Sequence, residues 1–393
     1  MHPLFVTGSS VVCAPAKGKD ALLDSLRNQR GGLQRNKFGY AEINGYTGMV
    51  TGLDSIKLPV ALSEYDCRNN RLAEMALLQD GFILQVAALK KRVESRRIGL
   101  FLGTSTSGTL SSEEAYREER ISSRFPQSYN YTKTHDLNSL VDYVKKRLDV
   151  RGPAFTISTA CSSSAKVFCE AERFISAGLC DAAVVGGVDS LCYNTLFGFN
   201  SLQLISEERC RPFDAERKGI SIGEAGGFMI LEKQAHSGVE AVLEGYGESS
   251  DAHHISTPHP EGMGAVIAIK QALQKAGLSS SDIGYINLHG TATPSNDKSE
   301  AVAVAGLFTQ RTICSSTKGW TGHTLGAAGI VEAVISCISL EHGLIPGTLN
   351  TRALDRRLDV NLAIDTQDLE YNHAVSNSFG FGGSNCSLIF ASA

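Results

Sequence analysis

Residues 182–185, Ala-Ala-Val-Val, leave this chain little choice of fold. Four apolar residues in a row, stopped by Gly186 and Gly187, suit a short strand with neither face turned to water. A sheet of such strands must be covered by helices on both sides, and the rest of the chain supplies them. Strand-like runs at residues 4–7, 97–102, 154–158, 285–288 and 313–315 alternate with helical stretches at 19–26, 63–91, 162–177, 265–276 and 330–340. Within 162–177, Phe168, Ala171 and Ile175 share one face, and Gly178 stands where a helix end favours a left-handed residue. The alternation reads as an α/β protein.

The scheme runs twice. Two glycine-rich, hairpin-like segments echo each other, GEAGGFMILE at 223–232 and GFGGSNCSLIF at 380–390. They read as the closing elements of an internal duplication, with a boundary between 233 and 239 and halves at 1–235 and 236–393. A chain of 393 residues is long enough for two such cores. No linker-like stretch divides them, so they are expected to pack as one unit.

Charge and cysteines exclude several functions. Lys plus Arg number 37 and Asp plus Glu 41, a formal charge of -4, without the basic excess of a nucleic-acid binder. The 10 cysteines are scattered and form no CxxC pair, so the common zinc and dithiol spacings are absent and no metal is expected. The start MHPLFVTGSSVVCAP lacks the charged and apolar regions of a signal peptide. No window approaches the roughly 18 apolar residues of a membrane span. A cytoplasmic protein with mostly structural thiols is the expectation.

Cys161, in FTISTACSSSAKVF, lies between a buried strand and a helix. There, helix amides and the macrodipole favour a thiolate, and small neighbours allow a substrate to approach. His289 ends the strand of YINLHGTATPSND, and His323 lies in STKGWTGHTLGAAGIVEA with Lys318 five residues earlier and Glu332 nine later. Either histidine alone could be a turn residue; two of them, each between a strand and a helix, suggest a shared task. His253, His254 and His259 crowd one loop without an acidic or cysteine partner at ligand spacing, and read as surface. Phe379 and Phe381 stand among glycines that permit close backbone approach to a ligand.

The segments TACSSS, RPFDAERKGISIGEAGG, NLHGTATPSND, KGWTGHTLGAAGIVEA and SNSFGFGGSN, in this order, resemble the β-ketoacyl-acyl carrier protein synthases of the thiolase-like superfamily. The resemblance covers essentially the whole chain. It implies a thiolase-like duplicated α/β/α/β/α sandwich with the active site between the halves. Cys161 would take an acyl group from acyl carrier protein. His289 and His323 would stabilise the enolate formed when malonyl-acyl carrier protein loses carbon dioxide. Lys318 and Glu332 match a supporting charged pair, and Asp297 and Glu300 match acidic positions behind the first histidine loop. The oxyanion hole would use the amides of Cys161 and Phe381, with the Phe381 ring and Phe379 at the acyl pocket. Thr291 and Thr293 would contact the phosphopantetheine arm that carries the substrates, and the enzyme itself would bind no cofactor.

The Cys-His-His set resembles the elongating type, since the initiating type carries asparagine for the second histidine. Departures include the start PLFVTGSS and Gln203 where some relatives carry a basic contact for the carrier. They point to the ketosynthase of an aryl-polyene or type II polyketide system, paired with a chain-length-factor-like homologue. The alternatives are a homodimeric elongating synthase of fatty-acid biosynthesis and a tunnel-shaping partner subunit. Cys161 argues against the last. A degradative thiolase would need a second catalytic cysteine, and Cys386 after GFGGSN does not fit that place.

Overall fold

The computed structural model describes residues 1–234 and 238–393. The expected division between 235 and 236 therefore lies outside the described residues. Ten strands of an eleven-stranded sheet carry the architecture. They are numbered here β1 Leu4–Cys13, β2 Ile98–Gly103, β3 Ala154–Ile157, β4 Ala182–Asp189 and β5 Ala225–Glu232, then β6 Ala241–Ser250, β7 Tyr285–Asn287, β8 Ile313–Ser315, β9 His373–Gly380 and β10 Ser384–Ala391. The eleventh, Ala16–Lys17, folds back on β1.

The spatial order is β3-β2-β4-β5-β1 followed by β6-β10-β9-β7-β8. Read outward from the join, the second five repeat the first. In each half the two outer pairings are parallel and the two inner ones antiparallel. The halves meet where β1 runs antiparallel to β6 over three residue pairs, Leu4 with Leu243, Phe5 with Val242 and Val6 with Ala241. The repeat read from the two glycine-rich segments is thus present, with one difference. The second is a tight hairpin turning at Phe381–Gly383, whereas residues 190–224 separate β4 from β5.

Helices complete five layers. Helix α1, Arg68–Leu77, covers β1, β4 and β5 from outside, and α2, Thr109–Ser122, follows β2. Helix α3, Ser163–Ser176, and α7, Ala328–His342, lie together between the half-sheets. Helix α4, Tyr193–Ser201, begins the 190–224 excursion, α5, Met263–Ala276, covers β6 and β10, and α6, Pro294–Ala305, follows β7. Every residue of β4 is buried, as its apolar run requires.

Two expectations are corrected. The helical stretch at 63–91 is a 3₁₀ turn, then α1, then a separate helix Phe82–Leu89 bent by 71° from it. Asp80 and Gly81, at φ 53° and 67°, break the ladder there. The chain also holds one helical stretch long and apolar enough to cross a membrane among the described residues, Leu325–His342. It is 89% buried, which identifies it as the central-layer helix with protein on all sides.

Candidate active site

The cysteine is aimed by a short, tight turn. After β3 the chain turns through Ala160 at φ 51°, a left-handed conformation, and enters α3 two residues beyond Cys161. The first turn of α3 presses against β2 and β4 at two glycines. A Cβ on Gly103 would lie 2.5 Å from the Ser164 amide nitrogen, and one on Gly187 would lie 2.4 Å from the Ser164 Cβ. The helix start can reach the sheet only because both side chains are missing.

The second half brings the histidines. His289 follows β7, where Glu300 of α6 accepts the amides of His289 and Gly290 at 2.8 Å each. Asp297 accepts the amides of Phe213 at 2.8 Å and Ala292 at 3.2 Å. These two buried carboxyls therefore shape the histidine loop, as the resemblance implied. His323 is held by its own backbone, donating to the Ser221 carbonyl at 2.7 Å and accepting from the Gly223 amide at 2.9 Å.

The three side chains converge. His323 Nε2 lies 3.0 Å from Cys161 Sγ, and the two imidazoles meet edge to face with centroids 5.3 Å apart. Lys318 Nζ is 3.3 Å from His289 Nδ1 and is ion-paired with Glu332. Lys318, an ammonium, must be the donor in that contact, which leaves the His289 proton on Nε2. All five residues are buried.

Burial sets the protonation states. It pushes the Cys161 thiol up to about 12, opposed by the Lys318 charge and by a hydrogen bond from the Phe381 amide. Burial, reinforced by Lys318, holds His289 and His323 neutral, well below the ordinary histidine value. Glu332 rises to about 7 for the same reason, with Lys318 opposing. The expectation of a thiolate made by the helix start is corrected. The amides of Ser162 and Ser163 are occupied by the carbonyls of Thr159 and Ala160, so the amide bonded to the sulfur comes from Phe381 in the other half.

A cavity opens over the sulfur. Cys161, His289, His323, Thr291, Thr293, Phe379 and Phe381 all line it. The Phe381 ring lies 5.5 Å from that of Phe199, on the far wall. Lys318 and Glu332 stand behind the histidines, outside the lining.

Sequence reasoning missed the outer wall, which includes Asp251, His254 and Ser256 to Pro258. This loop is latched to the glycine run. Asp251 donates its amide to the Gly383 carbonyl at 2.9 Å, Asn385 Nδ2 donates to Asp251 Oδ1 at 2.7 Å, and Gly382 donates to Ile255 at 2.7 Å. The histidine-rich loop is exposed, as read, yet it also walls the cavity mouth. Nothing local marks Asp251, whose role depends on a segment more than a hundred residues away.

The cysteine and two histidines offer ligating atoms within 4.8 Å of one another, a donor set that would suit a soft divalent ion. The Lys318 ammonium behind His289 opposes a cation there. The arrangement suits covalent chemistry better: a nucleophile, two neutral donors, and a cavity that admits a slender chain.

Fold and site define a condensing enzyme of the thiolase-like class. Two family models, Beta-ketoacyl synthase, N-terminal domain and Beta-ketoacyl synthase, C-terminal domain, match residues 70–237 and 240–352. The 3-oxoacyl-[acyl-carrier-protein] synthase 2 of Vibrio cholerae is 32% identical over 373 residues, 88% of this chain and 87% of that one. The mitochondrial 3-oxoacyl-[acyl-carrier-protein] synthase of Arabidopsis thaliana is 39% identical over 65% of this chain, a stretch spanning 60% of its own length. A ketosynthase from Xenorhabdus doucetiae, solved in complex with its chain length factor, superposes with a TM-score of 0.92 at 37% identity, over 100% of this chain and 98% of that one. The chain belongs to the beta-ketoacyl synthase family.

Proposed function

We propose that this protein catalyses a decarboxylative Claisen condensation between an acyl group held on Cys161 and malonyl-acyl carrier protein, giving 3-oxoacyl-acyl carrier protein. The observation that carries this reading is the contact of Cys161 Sγ with His323 Nε2 at 3.0 Å, inside a cavity shared by His289. In acyl transfer the sulfur attacks the thioester carbonyl. The thiol proton ends on the departing pantetheine sulfur, so Cys161 becomes the thioester and pantetheine leaves as the thiol. The tetrahedral oxygen faces the amides of Cys161 and Phe381. Malonyl thioester then loses carbon dioxide, and its enolate oxygen is held by the Nε2 protons of the neutral histidines. The enolate carbon bonds to the acyl carbon as the carbon–sulfur bond breaks, and the Cys161 sulfur leaves as a thiolate that takes a proton from solvent. Lys318 keeps the His289 proton on the cavity side. Thr291 and Thr293 line the path of the phosphopantetheine arm, and Phe379 and Phe381 bound the acyl pocket. The enzyme needs no cofactor of its own.

The pathway we propose is aryl-polyene or type II polyketide synthesis in the cytoplasm, with a chain-length-factor-like homologue as partner. The likeness to the Xenorhabdus ketosynthase along the full chain favours this. The identity with the Vibrio synthase supports the second reading, a homodimeric elongating synthase of fatty-acid synthesis. The surface has room for either partner: β3 is a half-exposed edge strand.

Intact-mass spectrometry after incubation with acyl-carrier proteins tests the chemistry. An acyl adduct on the wild type and none on Cys161→Ala is the expected result. Full elongation by Cys161→Ala would overturn the assignment. Co-purification with a cysteine-less homologue, against a lone homodimer, decides between the pathways.

A further inference from the structure

Asp189 ends β4, the place that Gly380 takes at the end of β9 in the second half. It is fully buried and no ion pair to it is found among the described residues. Its carboxylate gathers six donors. Oδ1 accepts the Thr104 hydroxyl at 2.7 Å, the Ser105 amide at 2.8 Å, and the Thr106 amide and hydroxyl at 2.9 Å each. Oδ2 accepts the Ser105 hydroxyl and, from the opposite half of the molecule, the Gly326 amide at 2.6 Å.

The two loops so joined belong to the two sides of the reaction centre. Thr104 follows Gly103, the residue on which the start of α3 rests beside Cys161. Gly326 lies three residues after His323, in a turn where Leu325 is held at φ 53°. A leucine keeps that conformation only where its surroundings leave no alternative, and the Asp189 bond to the next amide is such a constraint. We propose that Asp189 is a positioning residue that fixes His323 against Cys161 by fastening the turn after the histidine to the 104–106 loop. Asp189 does not line the cavity, so it acts through the backbone.

This rests on the proposed role of His323, and the experiment separates the two. Asp189→Asn keeps the shape but places an amide donor against some of the six donors. Condensation kcat should fall roughly 10²-fold, as for a misplacement of about 1 Å, with KM for the malonyl carrier held within about twofold. Gly326→Ala is the second variant should the first not fold, because its Cβ would lie 2.7 Å from Asp189 Oδ2 while the carboxylate stays. Adding either change to His323→Ala should cost nothing further, since both act through the same imidazole. Glu74→Gln, which disturbs a buried carboxylate bonded to Arg147 and Tyr143, serves as the structural control. The proposal fails if Asp189→Asn and Gly326→Ala keep kcat within about threefold of wild type, or if Glu74→Gln, at a matched loss of Tm, lowers it as much. It also fails if His323→Ala condenses normally, but then the reading of the site has failed first.

Discussion

Burial raises the Cys161 thiol while Lys318 and the Phe381 amide pull it back, so the sulfur's reactivity depends on partners from the other half. Alkylation of Cys161 by iodoacetamide, followed by intact mass, should therefore keep accelerating above pH 9, beyond the roughly 8.5 midpoint of a free cysteine. Lys318→Met removes the favourable charge and should slow alkylation at every pH below that range. The histidines give a second pH statement. Their values lie well below 6.5, so both stay neutral as the pH falls from 8 to 6. Decarboxylation of malonyl-acyl carrier protein should then hold its rate across that window; a drop centred near 6.5 would contradict it. Glu332 works in the opposite sense for stability. Its folded value is raised to about 7, so its stabilising share is full below about 4.5 and is lost as the pH climbs through 7. In urea titrations, the stability advantage of wild type over Glu332→Gln should shrink between pH 5 and pH 7.5.

At the scale of elements, two glycines give a matched pair of tests. Gly81 breaks the bend between α1 and Phe82–Leu89 at φ 67°, with open space where a Cβ would go. Gly81→Ala should cost about 1 kcal/mol from backbone conformation alone, read as a lower urea midpoint with unchanged activity. Gly187→Ala puts a Cβ into Ser164 and should push the start of α3 off the sheet, lowering acylation of Cys161 more than it lowers Tm. These elements also show what could be read from residue order. The buried strand 182–185 and the helix after Cys161 follow from local periodicity and were legible. The break at Asp80 was not, because Phe82–Leu89 is apolar almost all round, so the apolar composition continues past α1 and marks no change of face at the bend. Cys161, His289 and His323 were legible because each lies between a strand and the following long helix, among small neighbours. Asp189, Asp251 and Asn385 were not, since the partners that place them lie 83 to 137 residues away and nothing nearby records the pairing.

For the whole molecule, the half-sheets share only the three pairs between β1 and β6 among the described residues, so much of their union rests on the central helices and the loops at the site. The far edge, β3, is open. The carbonyls of Pro153 and Ile157 accept from Leu100 and Thr104 inside the sheet, so alternation turns the Thr156 amide outward. If a partner subunit adds its own strand there, Thr156→Pro should halve the mass seen in sedimentation while leaving the monomer folded.

The order of strands also fixes a sequence in time. In each half the strand made first, β1 or β6, lies beside the strand made last, β5 or β10. Neither half-sheet can close while its last strand is still inside the ribosome. The nucleophile's half can finish once residue 232 has emerged, but the amide bonded to its sulfur belongs to Phe381, at the turn into β10. During synthesis, Cys161 therefore spends the making of some 150 further residues without its amide, and the first part of them without its histidines, an interval in which stray electrophiles meet it first.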